Sequence, residues 1–321
     1  MKKNKHENIT TGYIEGYYGK LLSWKNRTLI VQSLKKNKMN TYFYAPKEDN
    51  NHRLNWRENY DLKWRKNFRE FTKFSKINSI NVIAGIAPGL DFDFKNFNEK
   101  PHKESYDFTL LLNKAKQLID DGANAIALLL DDIPEDFENK FGNEISEGTI
   151  HGILANTLSE NLGKNIYFVP RIYADELIEG QPYYLRDLAS VLNPKTKIFY
   201  CGKNIVSKNL KIFSKINKIL NNEIIFWDNY YANDYCPRRF FIGPCVGREK
   251  LKNIMINPTG LINTDLLILD IFASSIKHKP STNEWIKILN DHGVPKIFNK
   301  VKHFFLKPNF GSNPLPNSFN L

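Results

Sequence analysis

The chain has little cysteine: Cys201, Cys236 and Cys245 are the only three in 321 residues, an odd total with no CxxC pair. That count argues against a disulfide framework and a structural zinc site, and predicts a reducing compartment. No run approaches the ~20 apolar residues of a membrane span. The opening segment, Met1–Thr11, is polar and charged, without the apolar stretch of a signal peptide. These absences predict a cytoplasmic protein, or a secreted one if a leader has been removed, with no membrane partner. The net charge is +12, from 46 Lys+Arg against 34 Asp+Glu, yet no dense basic run forms. A basic surface suits a polyanion such as an acidic polysaccharide, while the blander account is lysine spread over solvated helix faces. Without a basic stripe, nucleic acid is not an expected partner.

No repeat or low-complexity linker divides the chain. Short apolar runs alternate with helix-length segments instead. Strands are predicted at Gly12–Tyr18, Thr41–Ala45, Asn81–Ile86, Ala123–Leu130, Ile166–Val169, Lys197–Tyr200, Glu223–Trp227 and Asn253–Ile256. Helices are predicted over Trp24–Lys36, Leu62–Lys76, Ser105–Asp120, Thr149–Leu162, Tyr183–Val191, Ser207–Leu220 and Thr264–Lys277. This alternation implies a parallel sheet with right-handed crossovers. The number eight points to a closed (β/α)8 TIM barrel, although an open doubly wound sheet has the same local pattern. The expected organisation is a polar segment at 1–11, a catalytic barrel at 12–280, and a C-terminal helix and tail at 281–321.

Polar residues crowd just after the apolar runs: Glu15-Gly16-Tyr17-Tyr18-Gly19, Lys47-Glu48-Asp49, Pro88-Gly89-Leu90-Asp91, Asp131-Asp132, Arg171-Ile172-Tyr173, Asp228-Asn229 and Asn257-Pro258. In parallel α/β folds the strand C-termini converge on one rim, where active sites are built. Asp131 and Asp132 end an almost wholly apolar strand. Consecutive strand residues face opposite ways, so both carboxyls reach one cavity only if the backbone turns there. Two close carboxyls do not ionise independently, and one keeps its proton to higher pH, as general acid catalysis requires. Competing readings are a helix N-cap and a magnesium-binding acidic cluster running from Asp131 to Asp136. Trp227 could be core packing alone, but the aromatics, amides and acids of Trp227–Tyr235 suit a sugar ring. Lys47 taken singly reads equally well as a surface lysine.

Several stretches resemble glycoside hydrolase family 84, the family of protein O-GlcNAcases, bacterial N-acetylglucosaminidases and some hyaluronidases. They are Gly12-Tyr-Ile-Glu-Gly-Tyr-Tyr-Gly19, Met39-Asn-Thr-Tyr-Phe-Tyr-Ala-Pro-Lys47 with His52-Arg53 and Trp56-Arg57-Glu58, and Gly85-Ile-Ala-Pro-Gly-Leu-Asp91. Leu130-Asp-Asp-Ile133, Gly202-Lys-Asn-Ile-Val-Ser-Lys208, Trp227-Asp-Asn229 with Ala232-Asn-Asp-Tyr235, and Asn257-Pro258 continue the likeness in order, from about residue 12 to 275. The resemblance implies a retaining exo-β-N-acetylglucosaminidase in which the substrate's 2-acetamido group is the nucleophile, through an oxazoline. By the same resemblance Asp131 would orient that group and Asp132 would be the general acid and base. Tyr173 and Trp227 would wall the acetamido pocket, and Gly16, Lys47, Asn229, Asp234 and Asn257 would contact the sugar. No cofactor or metal is implied, and the expected partner is an N-acetylglucosamine-bearing glycan or glycoprotein. The alternatives are a hyaluronan-type hydrolase and a catalytically silent glycan-binding barrel. Ala87, Ile172 and Leu21-Leu22 depart from the family pattern, which bears on loop shape and the aglycone side.

Overall fold

In the computed structural model, residues 9–99, 104–142, 144–210, 215–234 and 240–306 are described. The eight strands are β1 (Thr11–Glu15), β2 (Thr41–Tyr44), β3 (Asn81–Ile86), β4 (Ala125–Leu129), β5 (Tyr167–Val169), β6 (Lys197–Tyr200), β7 (Ile224–Asp228) and β8 (Ile254–Ile256). The helices are α1 (Trp24–Lys36), α2 (Leu62–Ile77), α3 (Phe94–Glu99), α4 (Tyr106–Asp120), α5 (Phe137–Phe141), α6 (Glu147–Leu162), α7 (Tyr184–Val191), α8 (Ile262–Lys277), α9 (Thr282–Asp291) and α10 (Phe298–Val301).

The strands pair in parallel, each with the next, and β8 pairs with β1 through Thr11↔Ile254, so the sheet closes into a (β/α)8 TIM barrel. Gly12 permits one close approach: a Cβ there would stand 1.7 Å from the Thr41 carbonyl oxygen across the β1–β2 pair. Side-chain alternation splits the core in two. Ile14, Phe43, Ile83, Ala127, Leu129, Phe199, Ile225 and Met255 fill the barrel, while Tyr13, Tyr42, Tyr44, Leu128 and Phe168 pack between the strands and the helices.

Local rules explain most boundaries. The Ser23 hydroxyl caps α1 by accepting from Asn26 N at 3.2 Å, and the Asp61 carboxylate caps α2 by accepting from Trp64 N at 2.7 Å. The apolar pattern does not reveal α3 and α5, which are too short to show a helical period. The helix expected over Ser207–Leu220 is a correction. Ser207 to Leu210 are irregular, 211–214 lie outside the described residues, and only a 3-10 turn at Lys215–Lys218 follows. The reason is tertiary. The Ser207 and Lys208 carbonyls accept from Arg248 at 2.6 and 2.7 Å, and Leu210 N donates to the Gly247 carbonyl at 3.3 Å. Cys236 and the tail from residue 307 also lie outside the described residues. No described helix is long and apolar enough to cross a membrane.

Candidate active site

The strand tails separate into two sets by the face they present. Glu15 and Asp228 follow barrel-facing neighbours by one residue and so turn away from the axis. Each is taken by a buried arginine. Arg27 grips Glu15 at 2.8 and 2.9 Å, with the Tyr42 hydroxyl adding a bond at 2.5 Å. Arg248 holds Asp228 at 2.9 Å to each oxygen. Asp49 accepts from the Tyr44 and Tyr60 hydroxyls, Asp91 from Trp56 and Arg57, and Arg171 pairs with Glu147. These groups brace the rim.

A second set of residues at the strand ends meets instead. Gly16, Lys47, Asp131, Asp132, Tyr173, Trp227, Asn229, Asp234 and Asn257 all line one pocket of about 350 Å³ at the C-terminal mouth of the barrel. Tyr18, Cys201, Phe199 and Ile205 line it too and were not singled out from the sequence. Tyr18 was detectable in principle, since it lies two residues beyond Gly16 in the first tail. Nothing in the sequence marks Cys201 except its place after β6.

The carboxyl pair owes its placement to one backbone torsion. Leu129 faces the barrel interior and Leu130 the helix layer, so alternation turns Asp131 inward and would turn Asp132 outward. Asp132 instead has φ of +53°, a left-handed conformation that aspartate tolerates better than most residues. The turn returns its side chain to the pocket. Neither aspartate caps a helix: α5 begins after Asp136 and α6 is capped by Ser146.

Lys47 lies between the two, its Nζ 2.6 Å from Asp131 Oδ2 and 3.6 Å from Asp132 Oδ2. Its side chain is almost wholly buried, so it is no surface lysine. Burial works against its ammonium, but the two carboxylates outweigh burial and hold its pKa above the ordinary value. Asp132 accepts from the Tyr173 hydroxyl at Oδ1 (2.9 Å) and from the Tyr18 hydroxyl at Oδ2 (3.0 Å). Burial raises the Asp131 pKa; the Lys47 ammonium opposes this and the charge of Asp132 adds to it, for a net rise. For Asp132, burial is outweighed by Lys47, the two tyrosine hydrogen bonds and Arg53, and its pKa falls below the usual carboxylate value. Asp131 Oδ1 is buried and has no hydrogen-bond partner among the described residues.

The far wall is an amide relay. Gly16 N donates to Asn257 Oδ1 (3.2 Å), Asn257 Nδ2 to Asn229 Oδ1 (2.9 Å), and Trp227 Nε1 to the same oxygen (2.9 Å). The Trp227 ring explains Gly16, where a Cβ would meet it at 2.4 Å. Asp234 Oδ2 accepts from Tyr18 N at 2.9 Å, which ties the first and seventh loops across the mouth. Aromatic walls, amide and carboxyl groups and a carboxyl pair suit binding a polar ring and moving a proton at its edge. Among the described residues no three His, Cys, Asp or Glu side chains converge as a ligand set.

Comparison with known proteins gives a concordant result. A family model described as beta-N-acetylglucosaminidase matches residues 11–273. Protein O-GlcNAcase from Rattus norvegicus and from Mus musculus are each 31% identical over 280 residues, covering 83% of this chain. The chain spans 30% of the length of those relatives. Among solved structures, a mutant of the O-GlcNAc hydrolase from Thermobaculum terrenum superposes with a TM-score of 0.79 at 24% identity. It covers 92% of this chain and 66% of its own, a likeness that speaks for the fold.

Proposed function

The chain belongs to the β-N-acetylglucosaminidase family of glycoside hydrolases, family 84, and from that premise we propose that it removes terminal N-acetylglucosamine from a glycan or glycoprotein with retention of configuration. The observation that carries the mechanism is the buried, unpartnered Oδ1 of Asp131 beside an Oδ2 already held by Lys47. A buried acceptor without a donor is costly, on the order of 1–3 kcal/mol. An acetamido N–H supplies the missing donor and aligns the acetamido oxygen on the anomeric carbon.

In the first step that oxygen attacks the anomeric carbon, the glycosidic bond breaks, and Asp132 gives its proton to the departing oxygen. The product is an oxazolinium ion, its N–H still held by the Asp131 carboxylate, and a free aglycone alcohol. In the second step the Asp132 carboxylate takes a proton from water, which opens the oxazolinium ring at the same carbon and restores the acetamide. Tyr173 and Trp227 wall the acetamido methyl, and Asn229, Asp234 and Asn257 hold the ring hydroxyls. These roles need Asp132 protonated and Asp131 ionised, the reverse of the order the protein sets by itself. Substrate supplies the inversion. An N–H donated to Asp131 favours its carboxylate, and an aglycone covering Asp132 disfavours charge there. The catalytic unit on this reading is residues 12–280.

The test is hydrolysis of 4-nitrophenyl N-acetyl-β-D-glucosaminide and its mono-, di- and trifluoroacetyl analogues. Electron withdrawal from the amide should depress kcat steeply and KM little. Turnover insensitive to fluorination, with a sugar ester trapped on a carboxylate, would mean a conventional enzymic nucleophile. Preference for hyaluronan fragments would move the substrate to a polysaccharide, and absent turnover would leave a glycan-binding barrel.

A further inference from the structure

The left-handed backbone at Asp132 is unfavourable for a residue that carries a Cβ and must be held by something. β4 has ended at Leu129, so no ladder supports it. The support comes from the loop between β2 and α2. Arg53 Nη2 donates to the Asp132 carbonyl oxygen at 2.9 Å. The same guanidinium lies 5.6 Å from the centre of the Tyr18 ring, whose hydroxyl bonds Asp132 Oδ2. One cation thus braces both the main chain and the carboxylate partner of a single residue.

Arg53 is itself anchored from either side. Its neighbour His52 is buried and hydrogen-bonds the Gly85 carbonyl of β3 through Nδ1 at 2.9 Å. Lys114 of α4, also buried, donates to the carbonyls of Asn51, Trp56 and Glu58, which closes the loop around Arg53. Arg53 N completes the turn by donating to the Asn50 carbonyl at 3.2 Å. The guanidinium therefore reaches Asp132 from a fixed base.

We propose that Arg53 is a positioning residue for the acid–base carboxylate: it holds the turn that returns Asp132 to the pocket and places a positive charge behind it. The inference rests on the acid–base role proposed above. The groups facing the Asp132 carboxyl are Lys47, Tyr18, Tyr173 and Asp131, with Arg53 behind the turn. Lys47 stays 3.6 Å from Asp132 but is shared with Asp131, so loss of Arg53 removes part of the positive charge near that carboxyl.

Two variants separate the parts of this role. Arg53→Gln keeps a donor for the carbonyl and loses the charge; Arg53→Met loses both. In both, the Asp132 carboxyl should titrate higher by 13C NMR than in the wild type, because a nearby positive charge is gone. The alkaline limb of kcat, which reports the substrate complex, should move up with it, because a less acidic Asp132 keeps its proton longer. Arg53→Met should also lose about 10- to 100-fold in kcat on an alkyl glycoside and much less on a dinitrophenyl glycoside, with KM little changed. Arg53→Gln should retain most of that rate. An unmoved titration in Arg53→Gln overturns the proposal whether or not Arg53→Met folds. Equal rate losses on all leaving groups would assign Arg53 a general structural role and overturn it as well. A titration that shifts in a protein without turnover would fault the functional reading and leave the placement of Arg53 standing.

Discussion

The Lys47 ammonium sits 2.6 Å from Asp131 and a full ångström farther from Asp132, so one buried cation serves two consecutive carboxyls unequally. Removing it leaves Asp131 buried without its counter-charge. Its pKa, already raised by burial, then rises further. The proposed mechanism needs Asp131 ionised, and activity is lost as pH falls through its pKa. Lys47→Met should therefore move the acid limb of kcat, which reports the substrate complex, to higher pH and lower kcat even on the plateau. A pH–rate profile checks this, and an acid limb left in place would count against Asp131 as the ionised partner.

Asp132→Asn should lose activity according to the leaving group. For a poor leaving group the missing proton donor costs on the order of 10²–10⁴-fold, and for an activated phenol far less. A series of aryl glycosides of rising leaving-group pKa measures the slope. Equal losses along the series would remove Asp132 from the acid role.

Arg248 satisfies all five of its N–H donors. Two go to Asp228, and the others to the carbonyls of Ser207, Lys208 and Val246 at 2.6, 2.7 and 2.8 Å. It ties the loop after β6 to the end of β7, directly beneath Asn229. A lysine cannot reproduce that planar fork. Arg248→Lys keeps the charge but leaves buried carbonyl or carboxylate oxygens without donors, and should destabilise by on the order of 1–3 kcal/mol. The loss should appear as a lower thermal midpoint together with a higher KM, and an unchanged midpoint would contradict it.

Asp265 on α8 accepts from Thr259 N, the Thr259 hydroxyl, Gly260 N and the Tyr13 hydroxyl, fixing the loop beyond Asn257 to β1. Burial pushes its pKa up to about 6 despite these donors. A folded pKa above the unfolded value near 3.9 means the native state binds the proton more tightly. Its stabilising contribution is full below about pH 4 and is lost as pH rises through about 6, by up to about 3 kcal/mol. Wild type should therefore lose stability relative to Asp265→Asn between pH 4 and 7. Denaturation curves of the two across that range should diverge, and parallel curves would refute the assignment.

The sequence by itself determined the strands, their order and many of the residues that gather at the pocket, though not Tyr18, Phe199, Cys201 or Ile205. Period-two and period-3.6 patterns are local properties, and polar residues directly after apolar strands are confined to the ends where parallel strands converge. It did not determine closure, because an eight-strand open sheet has the same pattern; the pairing of Thr11 with Ile254 decides that. Its periodicity did not tell Glu15 from Gly16 or Asp228 from Asn229, a choice that came from the family resemblance, since which tail residue faces the axis depends on strand register, and which is neutralised depends on an arginine far along the chain. The irregular stretch at Ser207–Leu210 has the composition of a helix, but its carbonyls belong to Arg248. Asp132 is the clearest case. A doublet of aspartates is visible in the sequence, yet whether both enter one pocket depends on a φ of +53° supported by Arg53 from another loop. Local chemistry nominates residues, but only the closed barrel brings the charges near enough to set their direction and acidity.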